Sequence, residues 1–183
     1  MATKAPPMTA EEFEEFALRR ENAERRLELI SGEVVELVSN HESSHIQFCL
    51  STLIGIYLLQ NPIGFGTGAD GGYHVGDDRY IPDIGVILKT RQPALSKETY
   101  NPLAPDLAVE IVSPSDEIDD VLTKVNGYLM AGAMVWVVYP GSKEVRVFVP
   151  GQPSRKLGID DTLDGGTVLP GFTAKLADIF AEE

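Results

Sequence analysis

PDLAVEIVSPSDEIDDVLTKVNGYLMAGAMVWVVYP, residues 105–140, is the stretch on which the reading of the fold turns. Leu107, Val109, Ile111 and Val112 form an apolar run suited to a sheet covered on both faces. The loop SPSDE follows, and Ser115 or Asp116 supplies a cap for a helix that begins near Ile118. That helix places Lys124 and Tyr128 four residues apart, on one face, and ends at Gly132, a residue suited to a C-cap. MVWVVY, residues 134–139, is a second apolar strand. Strand, crossover helix and strand make a βαβ unit, whose strands are parallel. Glu110 interrupts the first strand. An unpaired carboxylate is costly to bury, so this residue requires a partner, a metal or a raised pKa.

Upstream, residues 1–7 read as a mobile tail and 8–183 as one domain. TAEEFEEFALRRE opens with a capping box, Thr9 with Glu12, and gathers Phe13, Phe16, Ala17 and Leu18 on one face. RLELISGEVVELV predicts two short strands joined at Ser31–Gly32. Glu28 faces away from Leu27 and Leu29, either to solvent or into a site. HESSHIQFCLSTLIGIYLLQNP predicts a buried helix closed by Asn61–Pro62. His41 and His45 stand four apart near its start, a spacing that grips zinc only with a third ligand, and none follows at the right spacing. His45 is a site candidate at the helix N-terminus, or simply a polar residue of the capping region. The glycine-rich segment after it contains neither GxxxxGK[ST] nor a helix-opening GxGxxG. It predicts hairpin strands at 65–68 and 72–75, then one strand from Tyr80 to Leu88. Pro82 is tolerated only at a strand's beginning, which sets Asp83 at a strand entrance. Residues 89–105 form a long polar loop, and such loops are usually functional or mobile. Beyond the central unit, SKEVRVFVPG is a hairpin return, and LADIF is a terminal helix docked by Leu176, Ile179 and Phe180.

The 183 residues suffice for one α/β domain with a real core. No apolar run is long enough to span a bilayer, and the one cysteine, Cys49, forms no internal disulfide; together these predict a cytoplasmic protein with no membrane partner. The formal net charge of −13 is the reverse of the basic footprint that nucleic-acid binders usually display. Only scattered basic residues, Arg19, Arg20, Arg25, Arg26, Lys89, Arg91 and Lys97, are available to build a local groove.

Asp83 at a strand mouth, Glu110 inside the next strand and Lys124 in the following helix form one constellation. Two carboxylates on neighbouring strands can share a hard divalent cation. Such an ion polarises a phosphodiester oxygen and lowers the pKa of an attacking water, while a nearby lysine stabilises developing charge or orients that water. Each residue also has a plainer reading: Asp83 as a turn cap, Glu110 in a buried ion pair, Lys124 on a solvent-facing surface. Tyr128 and Trp136 read as packing, and Asp106 as a strand-entrance residue facing solvent.

IPDIGVI, PDLAVEIVSPSD and TKVNGYLMAGAMVWVVYP together resemble the Uma-type family of restriction-endonuclease-like proteins, a domain of unknown function abundant in cyanobacteria and assigned to the PD-(D/E)XK nuclease superfamily. The resemblance runs from the N-terminal helix to LADIF. It implies a restriction-endonuclease-like mixed central sheet flanked by helices, with Asp83 and Glu110 as ligands of Mg²⁺ (or Mn²⁺) and the main-chain carbonyl of Ile111 as a further ligand. The lysine of the plain motif would fall at Val112, so the literal ExK is absent. The chain resembles members whose lysine has moved to the following helix, which puts Lys124 in that role. A further acid from the early part of the chain falls to Glu28.

The reading is a magnesium-dependent endonuclease acting on DNA with one metal-centred site per subunit, and cutting both strands favours a homodimer. The alternatives are a catalytically idle nuclease fold used as an interaction or regulatory module, or a small-molecule phosphodiesterase. A basic rim contributed by residues 89–97 would speak for nucleic acid, and an acidic rim for the alternatives.

Overall fold

Thr9 and Glu12 close a reciprocal capping box at the start of α1 (Ala10–Ala17): the Thr9 N–H donates to Glu12 Oε2 at 2.9 Å, and the Glu12 N–H donates to Thr9 Oγ1 at 3.3 Å. The computed structural model describes residues 7–114 and 116–181. Most of the expected tail, the candidate cap Ser115 and the last two glutamates lie outside the described residues. β1 (Leu27–Ile30) and β2 (Glu33–Glu36) form the expected hairpin. Its turn residues, Ser31 at φ +51° and Gly32 at φ +81°, are both left-handed, the geometry that matches the twist of a two-residue hairpin. α2 (His41–Gln60) follows, capped by Asn40, which accepts the Ser43 N–H at 2.8 Å. Then come β3 (Gly64–Thr67), β4 (Gly72–Val75), β5 (Asp78–Tyr80), β6 (Ile84–Leu88), β7 (Tyr100–Asn101) and β8 (Leu107–Ile111). α3 (Ile118–Met130), β9 (Met134–Tyr139), β10 (Glu144–Phe148), β11 (Arg155–Leu157), β12 (Thr162–Asp164), β13 (Thr173–Lys175) and α4 (Leu176–Ile179) complete the chain.

The strands form a five-stranded sheet, order β2-β1-β5-β4-β7, a six-stranded sheet, order β11-β10-β9-β8-β6-β3, and the small pair β12-β13. β8 and β9 are parallel across the α3 crossover, and the other neighbours in the six-stranded sheet are antiparallel. The fold is therefore α/β, with mixed sheets flanked by helices in a single domain.

Two expectations are corrected. β3 and β4 are not a hairpin: β3 pairs with β6 in the larger sheet, and β4 pairs with β5 and β7 in the smaller. Nor is Tyr80–Leu88 one strand. The chain leaves the smaller sheet after Tyr80, passes Pro82, which has no N–H to continue a ladder, and enters the larger sheet at Ile84. Alternation along a segment reports which residues are buried, not which sheet buries them. At α3 the N-cap is Glu117, with no side-chain cap bond; Asp116 instead accepts the Ser113 N–H at 2.6 Å, which closes the loop ahead of the helix. At the other end Gly132, φ +87°, completes a Schellman motif, with Ala133 N–H bonded to Tyr128 O at 2.9 Å and Gly132 N–H to Leu129 O at 3.0 Å.

Strand parity decides what faces the site. Val109 and Ile111 pack with Ile84, Val86, Trp136 and the Ile46, Leu50 and Ile54 side of α2. Ala108 packs on the opposite face, with Val135, Val137 and the Val125 and Tyr128 side of α3. Glu110 shares the parity of Ala108 and so lies under α3. In β1, Leu27 and Leu29 pack against Phe13, Ile81 and Tyr100, which turns Glu28 and Ile30 the other way.

Gly85 is required by a close approach. A Cβ there would stand 2.6 Å from the ring and hydroxyl of the buried Tyr73, whose hydroxyl is bonded to Thr67 Oγ1 at 2.7 Å. Gly85→Ala is expected to destabilise by about 1–3 kcal/mol through overpacking. In urea unfolding this reads as a lower midpoint at unchanged slope.

Candidate active site

Lys124 stands on the inner face of α3, and its ammonium lies between two carboxylates from different sheets. Nζ is 2.7 Å from Glu28 Oε1, on β1, and 2.8 Å from Glu110 Oε2, on β8. All three residues are buried, Glu28 to 1% exposure. The Tyr128 hydroxyl, one helical turn beyond Lys124, donates to Glu110 Oε1 at 2.9 Å. The Ile81 N–H donates to Glu28 Oε1 at 2.6 Å. Two residues on, Asp83 accepts the Ile111 N–H on Oδ2 at 2.7 Å, and its carbonyl accepts Gln47 Nε2 of α2 at 2.9 Å. Ile81–Pro82–Asp83 thus binds the Glu28 side of the cleft to the Glu110 strand. Tyr80 packs edge-on against Tyr128, with ring centroids 5.2 Å apart, and its ring lies 5.8 Å from Lys124 Nζ.

Glu28, Asp83, Glu110, Ile111 and Lys124 line one open cleft of about 350 Å³. The sequence alone reads Tyr128 as packing; it is both packing and a donor to Glu110. Its i+4 spacing from Lys124 was the available signal. Asp106 does not face open solvent: it accepts the Leu88 N–H at 2.7 Å and Arg91 Nη1 at 3.1 Å, and so staples the start of β8 to the preceding loop. His45 lines a different cavity, with His41, Pro140, Lys143 and Phe180, where its Nε2 lies 3.3 Å from Ala181 O.

The electrostatics are those of a carboxylate excess. Burial pushes Asp83 up to about 6, although the Ile111 N–H and Lys124 pull the other way. Burial pushes Glu110 up to about 8 against the attraction of Lys124, and neighbouring Glu28 and Asp83 add to the rise. Glu28 is raised by the same burial. Burial pulls Lys124 down, but Glu110 and Glu28 more than reverse this, and it stays charged. Tyr128 is driven well above its ordinary value by burial and then by Glu110, so it stays a donor.

Three carboxylates face one ammonium, and Glu28 Oε2 is buried with no hydrogen-bond partner. A divalent cation would supply the missing positive charge, and the donors are all hard oxygens, as magnesium or manganese requires. Among the described residues no three His, Cys, Asp or Glu side chains form a ready-made metal cage. Magnesium needs none: it keeps several waters and takes one or two carboxylates. The Asp83–Glu110 pair fits that demand. The wall of the cleft is acidic. Glu36, Asp116, Glu117 and Asp120 line it, and Arg26 and Lys124 are its only bases among the described lining residues. Residues 89–97 do not line it; Arg91 is tied to Ala104 O and Asp106, and Lys89 lies over Phe65.

A mixed sheet with an acid at one strand entrance, a second acid inside the neighbouring strand and a lysine above both is a scaffold of the restriction-endonuclease-like nuclease class. The chain belongs to the Uma2 family, described as "Putative restriction endonuclease", whose model matches residues 10–177. That description is of a nuclease, a class of enzymes that hydrolyse phosphodiester bonds. The chain is also similar to the crystal structure of a protein from Anabaena variabilis ATCC 29413 described as "a putative nuclease belonging to DUF820". The two share 23% identity and superpose with a TM-score of 0.83 over 95% of this chain and 98% of that one, a likeness of fold. No curated protein matches the chain. Among the described residues no helix is long and apolar enough to cross a membrane.

Two outcomes follow from the charge balance. The folded state holds protons on Asp83 and Glu110 that the unfolded chain releases near pH 4, so these groups make stability fall as pH rises from about 4 to about 8. Thermal scans across that window should show Glu110→Gln with a shallower decline than the unsubstituted protein. Lys124→Met removes the shared cation and leaves Glu28 and Glu110 facing each other. It should cost about 3–5 kcal/mol at pH 8 and clearly less at pH 5, where the carboxylates take up protons.

Proposed function

We propose that this protein is a metal-dependent phosphodiesterase of the endonuclease type, with DNA as substrate and Asp83, Glu110 and Lys124 as its working residues. The observation that carries the reading is the meeting of those three side chains at the floor of one cleft. Asp83, Glu110 and the carbonyl of Ile111 would hold Mg²⁺ or Mn²⁺, and Glu28 is a further acid within reach of the same site. Bound there, the ion would polarise the scissile phosphate and acidify a water. The chain's own residues do the remainder. Asp83 and Glu110 fix the position of the charge, each held by a hydrogen bond from a neighbouring element. Lys124 offers an ammonium to the charge that develops on the phosphoryl oxygens. Glu28 steadies that ammonium from the opposite sheet. Tyr128, one turn along the same helix, keeps Glu110 oriented. The unpartnered oxygen of Glu28 and the raised pKa values of the carboxylates support a site that is completed by cation binding.

The acidic wall favours a second reading, a small phosphodiester that reaches the floor without laying a polyanion along Glu36, Asp116 and Asp120. Calorimetric titration of Mg²⁺ and Mn²⁺, run beside plasmid nicking and hydrolysis of bis(p-nitrophenyl) phosphate, separates the readings. Glu110→Ala is a clean variant, because Glu28 remains to partner Lys124. We expect metal binding in the unsubstituted protein, its loss in Glu110→Ala and Asp83→Ala, and at least about 100-fold less nicking in both. Ester hydrolysis without nicking would favour the small substrate. Equal metal binding in all three proteins would refute the site.

A further inference from the structure

α2 carries large apolar side chains on its outer as well as its inner side, and the chain covers only part of its circumference. Ile46, Leu50 and Ile54 are buried in the core, while Phe48, Ile56 and Leu59 on the outer side are 70%, 50% and 85% exposed. A soluble helix normally carries charge on its outer face. From Ser43 to Gln60 this one has no Asp, Glu, Lys or Arg, in a chain of net charge −13. Thr52, the polar residue in the middle of the outer stripe, donates its hydroxyl to Phe48 O at 2.8 Å, so its polar atom is already satisfied by its own helix. The helix is about 30 Å long, ample for a helix-on-helix contact.

The stripe is also self-complementary. Phe48 and Ile56 lie four residues to either side of Thr52, and His45 and Leu59 lie seven to either side. Antiparallel packing about a two-fold axis at Thr52 therefore sets the ring of Phe48 in one copy against Ile56 of the other, twice over. We propose that this outer face of α2 binds a second copy of this chain in that register. The two-fold symmetry of the stripe selects the occupant, and charge selects the face. Two chains of −13 repel each other, and they meet at least cost across the one long helix that carries almost no charge, with the acidic cleft turned elsewhere. No residue of α2 lines the cleft, so both clefts stay open in such a dimer. Gln47, beside Phe48, donates to the Asp83 carbonyl at 2.9 Å, so the dimer face and the cleft acid are anchored by consecutive residues.

Sedimentation equilibrium of the full chain tests this. The unsubstituted protein should give a dimer, twice 19.9 kDa. Phe48→Glu and Ile56→Lys should each raise the dimer dissociation constant at least about 10-fold, with unchanged circular dichroism because both side chains are exposed. The double variant should recover dimerisation, since the introduced acid and base face each other across the axis. Raising NaCl from about 50 mM to about 500 mM should tighten the unsubstituted dimer by screening like charge. A protein monomeric up to about 100 µM would overturn the proposal and assign the face to another partner. Dimers indifferent to the single changes, a double variant that stays monomeric, or a dimer loosened by salt would overturn it too.

Discussion

The ammonium of Lys124, held between Glu28 and Glu110, is the interaction on which the rest of the molecule depends. Glu28 belongs to the smaller sheet, Glu110 to the larger, and Lys124 to the helix lying over both. A single buried cation therefore ties two sheets and α3 together at one point. Such a contact is not a source of net stability, because desolvating three charged groups offsets most of the attraction gained. It specifies. Among the described residues the carboxylates of the cleft floor bond no other cation, and the two tyrosines and the Ile81 and Ile111 amides fill in around them. The excess of carboxylate that remains is the physical basis for reading the floor as a cation site, not as a structural ion pair alone.

Much of this was legible in the chain. The apolar run of β8 declared its own exception at Glu110, and helical spacing placed Lys124 and Tyr128 together. Pro82 could sit only at a strand entrance, which located Asp83. Glu28 was left open by parity alone: alternation turned it away from the leucines, but a strand covered on both faces shows no exposed side to recognise. The partition into two sheets was not legible. β3, β4, β5 and β6 follow one another with turn residues between them and read locally as a meander; their partners are set by contacts distant in sequence. The destination of residues 89–105 was equally hidden, because the Arg91–Asp106 pair joins a residue read as a candidate for a basic groove to one read as facing solvent.

Net charge and local surface tell the same story at two scales. The chain's −13 is not confined to remote surfaces but reaches the lips of the cleft through Glu36, Asp116, Glu117 and Asp120. Any polyanion entering must meet that wall, whereas α2 offers the opposite environment on the other side of the larger sheet. Entry to the cleft and the proposed self-association would thus be governed by different physical terms, electrostatic at one face and hydrophobic at the other.

The crossing at Pro82 carries a consequence for folding kinetics. Glu28, Asp83, Glu110 and Lys124 are spread over more than half the chain, and the floor of the cleft forms only when both sheets have closed around the crossing. Contacts of such high sequence separation are entropically expensive to form and slow to nucleate. The local hairpins and the β8–α3–β9 unit can assemble first, leaving the buried charges to be brought together last. Topology therefore favours formation of the cleft after the local units.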